Sequence, residues 1–99
     1  MSVQLKNSGD ILIAFLSGEI DHHAAAEMRF FIDGELERSM PKLIVFDFSG
    51  VEFMDSSGIG LVLGRIRVIS GWGGKAAIEN PRPLIRKMLS LAGLQKLIR

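Results

Sequence analysis

The sequence predicts a single α/β domain over residues 1–99, in which a mixed sheet of four or five strands is covered mainly on one face by about three helices. Apolar runs of strand length alternate with amphipathic segments of helix length along the chain. Residues 43–78 in particular have the pattern strand, helix, strand. Such a unit crosses over right-handedly, so its two strands are expected to be parallel. A chain of this length has room for one core.

The N-terminal part predicts a hairpin followed by a helix. Residues 3–6 alternate weakly, residues 7–10 are typical of a turn, and residues 11–16 form a stronger apolar run. An amphipathic segment begins after residues 18–21, and Asp21 is well placed to cap its first turn. Six apolar side chains recur in this segment at helical spacing and are expected to face the core: Ala24, Ala25, Met28, Phe31, Ile32 and Leu36.

The middle of the chain predicts a central strand and a second helix. Residues 43–48 are almost entirely apolar, which is typical of a strand that is covered on both faces. The second helix is predicted from Ser57 to about Ser70, where the glycine-rich residues 71–74 end it. One face of this helix is expected to carry Ile59, Val62, Leu63, Ile66 and Ile69.

The C-terminal part predicts a strand, a third helix and one further short element. Residues 75–78 have the pattern of a short strand. Asn80 and Pro81 indicate a helix start with proline at the first helical position, and Gly93 closes the helix. Residues 94–99 are either a last short strand or a helical stub. The buried stripe of the third helix is expected to consist of Leu84, Ile85, Met88 and Leu89.

Composition and charge exclude several classes of function. The 12 basic and 11 acidic residues are interspersed and give a formal net charge of +1, which disfavours nucleic acid and anionic membranes as partners. The chain contains no cysteine, so it has no disulfides and no thiolate-ligated metals. The apolar runs are too short to cross a bilayer and no signal segment precedes them, so we expect a soluble cytoplasmic protein.

Neither a metal site nor a cofactor is expected. His22 and His23 are adjacent, so in a helix they point about 100° apart and do not form the i, i+4 pair that holds a metal on one face. Residues 71–74 lack the lysine and the hydroxyl residue of a phosphate-binding loop, and they follow a helix instead of a strand. We interpret this segment as a turn.

The segment of residues 53–61 is where we expect function. An apolar strand ends here, and a helix begins with Asp55, Ser56, Ser57 and Gly58. A phosphate on either serine would lie at the positive end of the helix dipole, which makes both serines candidates for a phosphorylation switch. The alternative is that the segment is a helix cap and nothing more. A serine hydrolase is disfavoured because no glycine stands two residues before either serine.

The second helix carries more apolar surface than one buried face requires. Leu61 and Val68 are expected to lie with Gly60, Gly64 and Arg65 on a side turned away from the core. A glycine costs a helix about 1 kcal/mol relative to alanine, so two glycines four residues apart need an explanation. A docking partner that approaches the backbone is one explanation, and close packing inside the domain is the other. The spacing alone does not decide between them.

Three segments taken together, residues 18–23, 43–47 and 53–65, resemble the anti-sigma-factor antagonists of the STAS family, and closely resemble those of the sporulation sigma factor F system. The block of residues 54–65 is the specific part of this likeness. The resemblance implies a non-enzymatic protein that, when unmodified, binds an anti-sigma factor with serine kinase activity and so frees the sigma factor. It also implies that this kinase phosphorylates Ser56, which directly follows Met54 and Asp55, and a serine phosphatase is then needed for reset.

The resemblance also assigns a docking surface and leaves two rival functions. An acidic position of the family that matches Asp21 belongs to that surface. One rival is a scaffold STAS domain within a larger signalling assembly or an anion transporter. The other is a small hydrolase that uses a serine with a histidine. The expected partner-binding residues are Asp21, Asp55, Ser57, Gly58, Gly60, Leu61, Gly64 and Arg65.

Overall fold

The computed structural model describes residues 2–99 and contains a four-stranded sheet with the strand order β1-β2-β3-β4. Three α-helices and one 3-10 turn complete the fold, which confirms the predicted class. The elements in chain order are β1 (Val3–Ser8), β2 (Ile11–Ile20), α1 (His22–Ser39), β3 (Leu43–Met54), α2 (Ser56–Ser70), β4 (Lys75–Glu79), α3 (Pro83–Leu91) and the 3-10 turn (Gln95–Leu97).

The strand pairing confirms the predicted hairpin and the predicted parallel unit. Strands β1 and β2 pair antiparallel, whereas β2 with β3 and β3 with β4 pair parallel. Strands β2 and β3 both extend well beyond the predicted ends at residues 16 and 48. Pairing continues there as far as Ile20 opposite Met54 through two register shifts, beyond the apolar runs from which the two strands were predicted.

The core lies on one face of the sheet, and all three helices cover that face. Alternate residues of β2 and β3 point toward it, and side chains from each helix complete a single buried cluster. The helical arrangement predicted from the sequence is therefore confirmed. The main members of the cluster are Leu12, Ala14, Leu16, Ile44, Phe46 and Phe48 from the sheet, and Met28, Ile32, Leu36, Val62, Ile69, Ile85 and Leu89 from the helices.

Three residues predicted to be buried on helices are exposed instead. Phe31 is 38% exposed, Leu63 is 39% exposed and Leu84 is 67% exposed. The buried stripe of α1 repeats every three or four residues, through Ala25, Met28, Ile32 and Leu36, and Phe31 lies at its border. The stripe of α3 consists of Ile85 and Leu89, so the residue before Ile85 points about 100° away from the core.

Helix α3 begins two residues later than predicted, at Pro83. The reason is that a residue before proline is held in an extended conformation, and Arg82 has a ψ of 156°. Asn80 in turn has a φ of +59° and donates its side-chain amide to Asp47 Oδ2 at 3.0 Å. A proline does occupy the first position of α3, as predicted, but it is Pro83 and not Pro81.

The last residues combine the two predicted alternatives. The 3-10 turn at residues 95–97 is a helical stub, and Ile98 then forms a parallel bridge to Ile78. The backbone N–H of Arg99 donates to the carbonyl oxygen of Ile78 at 2.8 Å, and its guanidinium pairs with Glu79 at 3.0 Å.

None of the helices in residues 2–99 combines the length and the apolar character that crossing a membrane requires.

Candidate phosphorylation and docking site

Two helix N-termini lie side by side where β2 and β3 end. Ile20 pairs with Met54, and the backbone N–H of Asp55 donates to the carbonyl oxygen of Ile20 at 3.1 Å. The next residue after each strand caps a helix. Asp21 Oδ1 accepts from the N–H of Ala24 at 2.8 Å, and Asp55 Oδ1 accepts from the N–H of Ser57 at 2.8 Å. The predicted cap at Asp21 is confirmed, and a second capping carboxylate lies beside it.

Ser56 is exposed as the first residue of α2. The cap is made by Asp55, so the helix does not need the Ser56 hydroxyl. That hydroxyl has no hydrogen-bond partner within residues 2–99, and its residue lies in the first turn of α2, at the positive end of the helix dipole. Ser57 is half-buried. The segment therefore does cap the helix, through Asp55, but the side chain of Ser56 takes no part in the capping.

The glycines of α2 divide into one that packs inside the domain and two that do not. A Cβ atom at Gly58 would collide with the side chain of Met54, so this position admits no larger residue without a shift. At Gly60 and Gly64 an added Cβ would meet no atom of residues 2–99 within 4 Å. Of the two explanations that the sequence left open, internal packing thus accounts for Gly58 and does not account for Gly60 or Gly64.

Gly60 and Gly64 line an open groove of about 480 Å³ between α1 and α2. Ser57 lines the N-terminal end of this groove, together with His22 from the start of α1. Arg29 from α1 also lines it. Because glycine has no side chain, the backbone of α2 is accessible from this groove, and a second molecule is able to approach it closely.

Leu61 and Arg65 are buried, so the expectation that they face away from the core is wrong. Leu61 is 4% exposed and belongs to the core cluster, and Arg65 is 7% exposed. The buried stripe of α2 runs through Gly58, Leu61, Val62, Arg65 and Ile69, which is a regular helical stripe that contains a charged residue. An arginine inside an apolar stripe conceals the periodicity, and the predicted face was rotated as a result.

Arg65 is held between the two helices by an ion pair. Its Nε lies 2.7 Å from Asp33 Oδ1 on α1, although the N–H is not aligned for a hydrogen bond. Its Nη1 donates to the carbonyl oxygen of Leu61 at 3.4 Å. Burial lowers the pKa of Arg65, the charge of Asp33 opposes that effect, and the charge of Arg29 adds to it. Arg65 therefore positions α1 against α2 and leaves little of its own surface for a partner.

The remaining side chains near the serines form no recognisable catalytic or metal centre. No histidine is hydrogen-bonded to Ser56 or Ser57 in the described part of the chain. Within those same residues, no three His, Cys, Asp or Glu side chains are close enough together to hold a metal ion. The arrangement offers an exposed serine at a helix start, two capping carboxylates and an open groove.

Sequence reasoning missed Arg29 and Arg67, which line the groove, and Asp33, which pairs with Arg65. Arg29 and Asp33 are four residues apart on α1, so they lie on one face of the helix. That face would have been found by following the exposed side of α1 as well as its buried side.

Comparison with known proteins finds relatives over nearly the whole chain. The family model of the STAS domain matches residues 2–99. The anti-sigma F factor antagonist of Paenibacillus polymyxa is 34% identical over 98 residues, which are 99% of this chain and 84% of that relative. The structure of the anti-sigma factor antagonist SpoIIAA in its unphosphorylated form is 35% identical and has a TM-score of 0.89 over 98% of this chain and 85% of that one. The structure of the Bacillus cell fate determinant SpoIIAA in its phosphorylated form is also 35% identical and has a TM-score of 0.82 over 98% of this chain and 88% of that one.

Proposed function

Since this chain belongs to the STAS domain family, we propose that it is an anti-sigma factor antagonist whose binding to its partner is ended by phosphorylation of Ser56. In the unmodified state it binds an anti-sigma factor that is also a serine kinase, and the sigma factor is thereby released. The observation that carries this proposal is the exposed hydroxyl of Ser56, which lies at the start of α2 and is not needed for its cap.

The fold tolerates a phosphate at Ser56. The modification adds a charge of about −1.5 to −2 and three acceptor oxygens. The positive end of the α2 dipole favours this charge by about 0.3–1 kcal/mol, and Ser56 is already exposed, so no packed side chain has to move. The phosphorylated protein therefore remains folded.

A partner docked over the start of α2 does not tolerate the same phosphate. The group adds bulk and a hydration shell that docking would strip away. It also adds negative charge beside the carboxylates of Asp55 and Asp21, which already cap the two helices there. A loss of about 3–4 kcal/mol of binding free energy weakens the complex several hundredfold, which is enough for a switch.

The docking surface consists of the exposed part of the residues expected from the sequence. Ser57, Gly60 and Gly64 line the groove, and Asp21 and Asp55 cap the two helices that form it. A partner is expected to contact these five residues directly. The contribution of Gly58, Leu61 and Arg65 is indirect, because these residues are buried and fix the positions of α2 and α1.

The protein is in this account a regulatory binding module and not an enzyme. The kinase transfers the terminal phosphoryl group of ATP to the Ser56 oxygen and releases ADP, so the chemistry is that of the partner. A serine phosphatase hydrolyses the phosphoester and restores the binding form. Because the kinase uses ATP, we expect the protein to act in the cytoplasm.

The proposal is tested by incubation with the cognate kinase and ATP, followed by mass spectrometry of the peptide that spans residues 54–65. We expect one phosphate on Ser56, no labelling of Ser56→Ala, and labelling of Ser57→Ala that still lies on Ser56. Labelling of Ser56→Ala at the rate of the unsubstituted protein would move the site to Ser57. Absence of both binding and labelling would favour a scaffold STAS domain instead.

A further inference from the structure

A second groove, of about 500 Å³, lies on the outer side of α1 beside the groove between α1 and α2. Both grooves are lined by Ala26 and Arg29, so they form one continuous surface. The two parts differ in character, because Arg67 lines only the first part and Phe30 lines only the second. The sequence did not predict that Arg29, Arg67 or Phe30 takes part in docking.

The first part of the surface carries positive charge that the domain does not neutralise. Within residues 2–99, neither Arg29 nor Arg67 has a carboxylate oxygen within 4.0 Å, whereas the nearby Arg65 is paired with Asp33. Arg29 and Arg65 line the same groove, and the charge of Arg29 adds to the effect of burial in lowering the pKa of Arg65. Two exposed cations beside a third that is already paired favour a carboxylate from outside.

The second part of the surface exposes two adjacent aromatic rings, Phe30 and Phe31, next to the carboxylates of Asp33 and Glu37. Phe30 is 73% exposed, and its ring packs edge-to-face on Phe31 with the centroids 5.4 Å apart. An exposed aromatic ring that is already fixed by a neighbour loses little conformational entropy when it is covered. Glu37 lies at the far side of this part, with no cation within 4.0 Å in the described residues. The carboxylate of Asp33, which also lines this part, is paired with Arg65. The side chains along α1 that have no ion-pair partner in the described residues therefore change from basic at Arg29 to apolar at Phe30 and acidic at Glu37.

We propose that Arg29, Arg67 and Phe30 bind a segment of the partner in which an acidic side chain lies next to an apolar one. This inference rests on the proposed function, since the segment belongs to the serine kinase that the protein binds. The carboxylate lies against Arg29 and Arg67, and the apolar side chain covers Phe30. Glu37 repels the acidic end, so the segment binds in one direction only.

An acidic partner segment also explains why a phosphate at Ser56 acts so strongly on binding. The groove that holds the segment begins at Ser57, the neighbour of the modified residue. A phosphate there repels the incoming carboxylate directly, in addition to its bulk and its hydration.

The test is the affinity of the full chain for the kinase, measured by titration calorimetry at low and at physiological salt. The charge variants are Arg29→Glu and Arg67→Glu, with Arg86→Glu as matched control, because Arg86 is an exposed arginine on α3 outside both grooves. The apolar variant is Phe30→Ser, with Leu84→Ser as its control, because Leu84 is 67% exposed on α3. All five side chains are exposed, and thermal unfolding verifies that each variant is folded.

We expect Arg29→Glu, Arg67→Glu and Phe30→Ser to weaken binding by about tenfold or more, and the two controls to change it by less than about twofold. The unsubstituted protein should lose affinity as salt is raised, and Arg29→Glu should lose less. If the unsubstituted protein binds the kinase and all three variants bind equally well, the inference is overturned and the proposed function stands. If the unsubstituted protein does not bind at all, both fail.

Discussion

The backbone N–H of Asp55 donates a hydrogen bond to the carbonyl oxygen of Ile20 across 3.1 Å, and this contact joins the ends of two parallel strands. Since Asp21 follows Ile20 directly, the carboxylates that cap α1 and α2 are brought to the same edge of the sheet. Ser56, the candidate for phosphorylation, directly follows Asp55. Pairing of β2 with β3 therefore determines where the positive ends of both helices meet.

Two substitutions at Asp55 distinguish the contribution of its capping hydrogen bond to stability from the contribution of its charge. Replacing Asp55 with alanine removes the acceptor for the Ser57 N–H and should cost about 1 kcal/mol in the free energy of unfolding. Asp55→Asn keeps a capping oxygen and should change that free energy by a few tenths of a kcal/mol, while it removes a negative charge next to Ser56. Urea unfolding of the two variants measures the difference. Equal destabilisation by alanine and asparagine would show that the charge, and not the cap, stabilises α2.

The glycines of α2 should respond to alanine in opposite directions. Gly60→Ala and Gly64→Ala are expected to stabilise the protein by up to about 1 kcal/mol each, because the new methyl group meets open space and alanine favours helix. Gly58→Ala should destabilise it by about 1–3 kcal/mol, because the methyl group collides with Met54. The midpoint of urea unfolding reports all three. Destabilisation at Gly64 would mean that this position is packed after all.

A bulky residue at Gly64 should affect binding without affecting the fold. Gly64→Trp fills the groove between α1 and α2, so we expect it to weaken kinase binding by about a hundredfold while the melting temperature changes little. Calorimetric titration of the kinase and thermal unfolding are measured on the same sample. Unchanged affinity would place the docking surface elsewhere.

Removing one partner of the Asp33–Arg65 ion pair should lower the free energy of unfolding more than replacing both partners with apolar residues. Asp33→Ala leaves the buried Arg65 without its counter-charge and should destabilise the protein by about 1–3 kcal/mol, a value reduced because the Asp33 side chain is 36% exposed. The double variant Asp33→Ala/Arg65→Met should recover most of the loss, since an apolar side chain fits the buried stripe. A double-mutant cycle of unfolding free energies provides the measurement, and strictly additive losses would refute the coupling.

Asp47 should make the stability depend on pH in the acidic range. Burial raises its pKa, but hydrogen bonds from the hydroxyl and the N–H of Ser49 and from Asn80 outweigh that effect and hold the pKa below its usual value. A carboxyl group with a lowered folded pKa stabilises the protein above its unfolded pKa of about 3.9, and this contribution is lost as the pH falls below that value. Asp47→Asn should therefore flatten the stability profile below about pH 4, relative to the unsubstituted protein. An unchanged profile in urea titrations at pH 2.5–5 would contradict this assignment.

The fold was predictable from the sequence because its signals are local. Apolar runs and helix caps, such as the cap at Asp21, are recognisable from residues that are adjacent in sequence. The strand-helix-strand order then predicts the parallel pairing of β3 and β4. Strand ends were not predictable, because the pairing of Ile20 with Met54 persists through irregular register that has no apolar alternation. The start of α3 was misplaced because two prolines compete for the first helical position.

The candidate site was predictable only in part, for a different physical reason. Ser56 was identified from its segment, since a helix start is recognisable in the sequence. Arg65 was assigned to the outer face because a charge normally marks a solvated position, and its partner Asp33 is 32 residues earlier on another helix. The exposed face of α1 that carries Arg29 and Asp33 follows from helical spacing, but which residues of α2 it meets depends on tertiary packing.

The most direct measurement of the central claim compares the affinity of the kinase for the unmodified protein and for the protein phosphorylated on Ser56, with the melting temperature of each form. We expect phosphorylation to weaken binding several hundredfold, while the melting temperature stays within a few degrees because the α2 dipole accommodates the charge. Equal affinity of the two forms would contradict the account. So would a phosphorylated form that loses binding because it has unfolded.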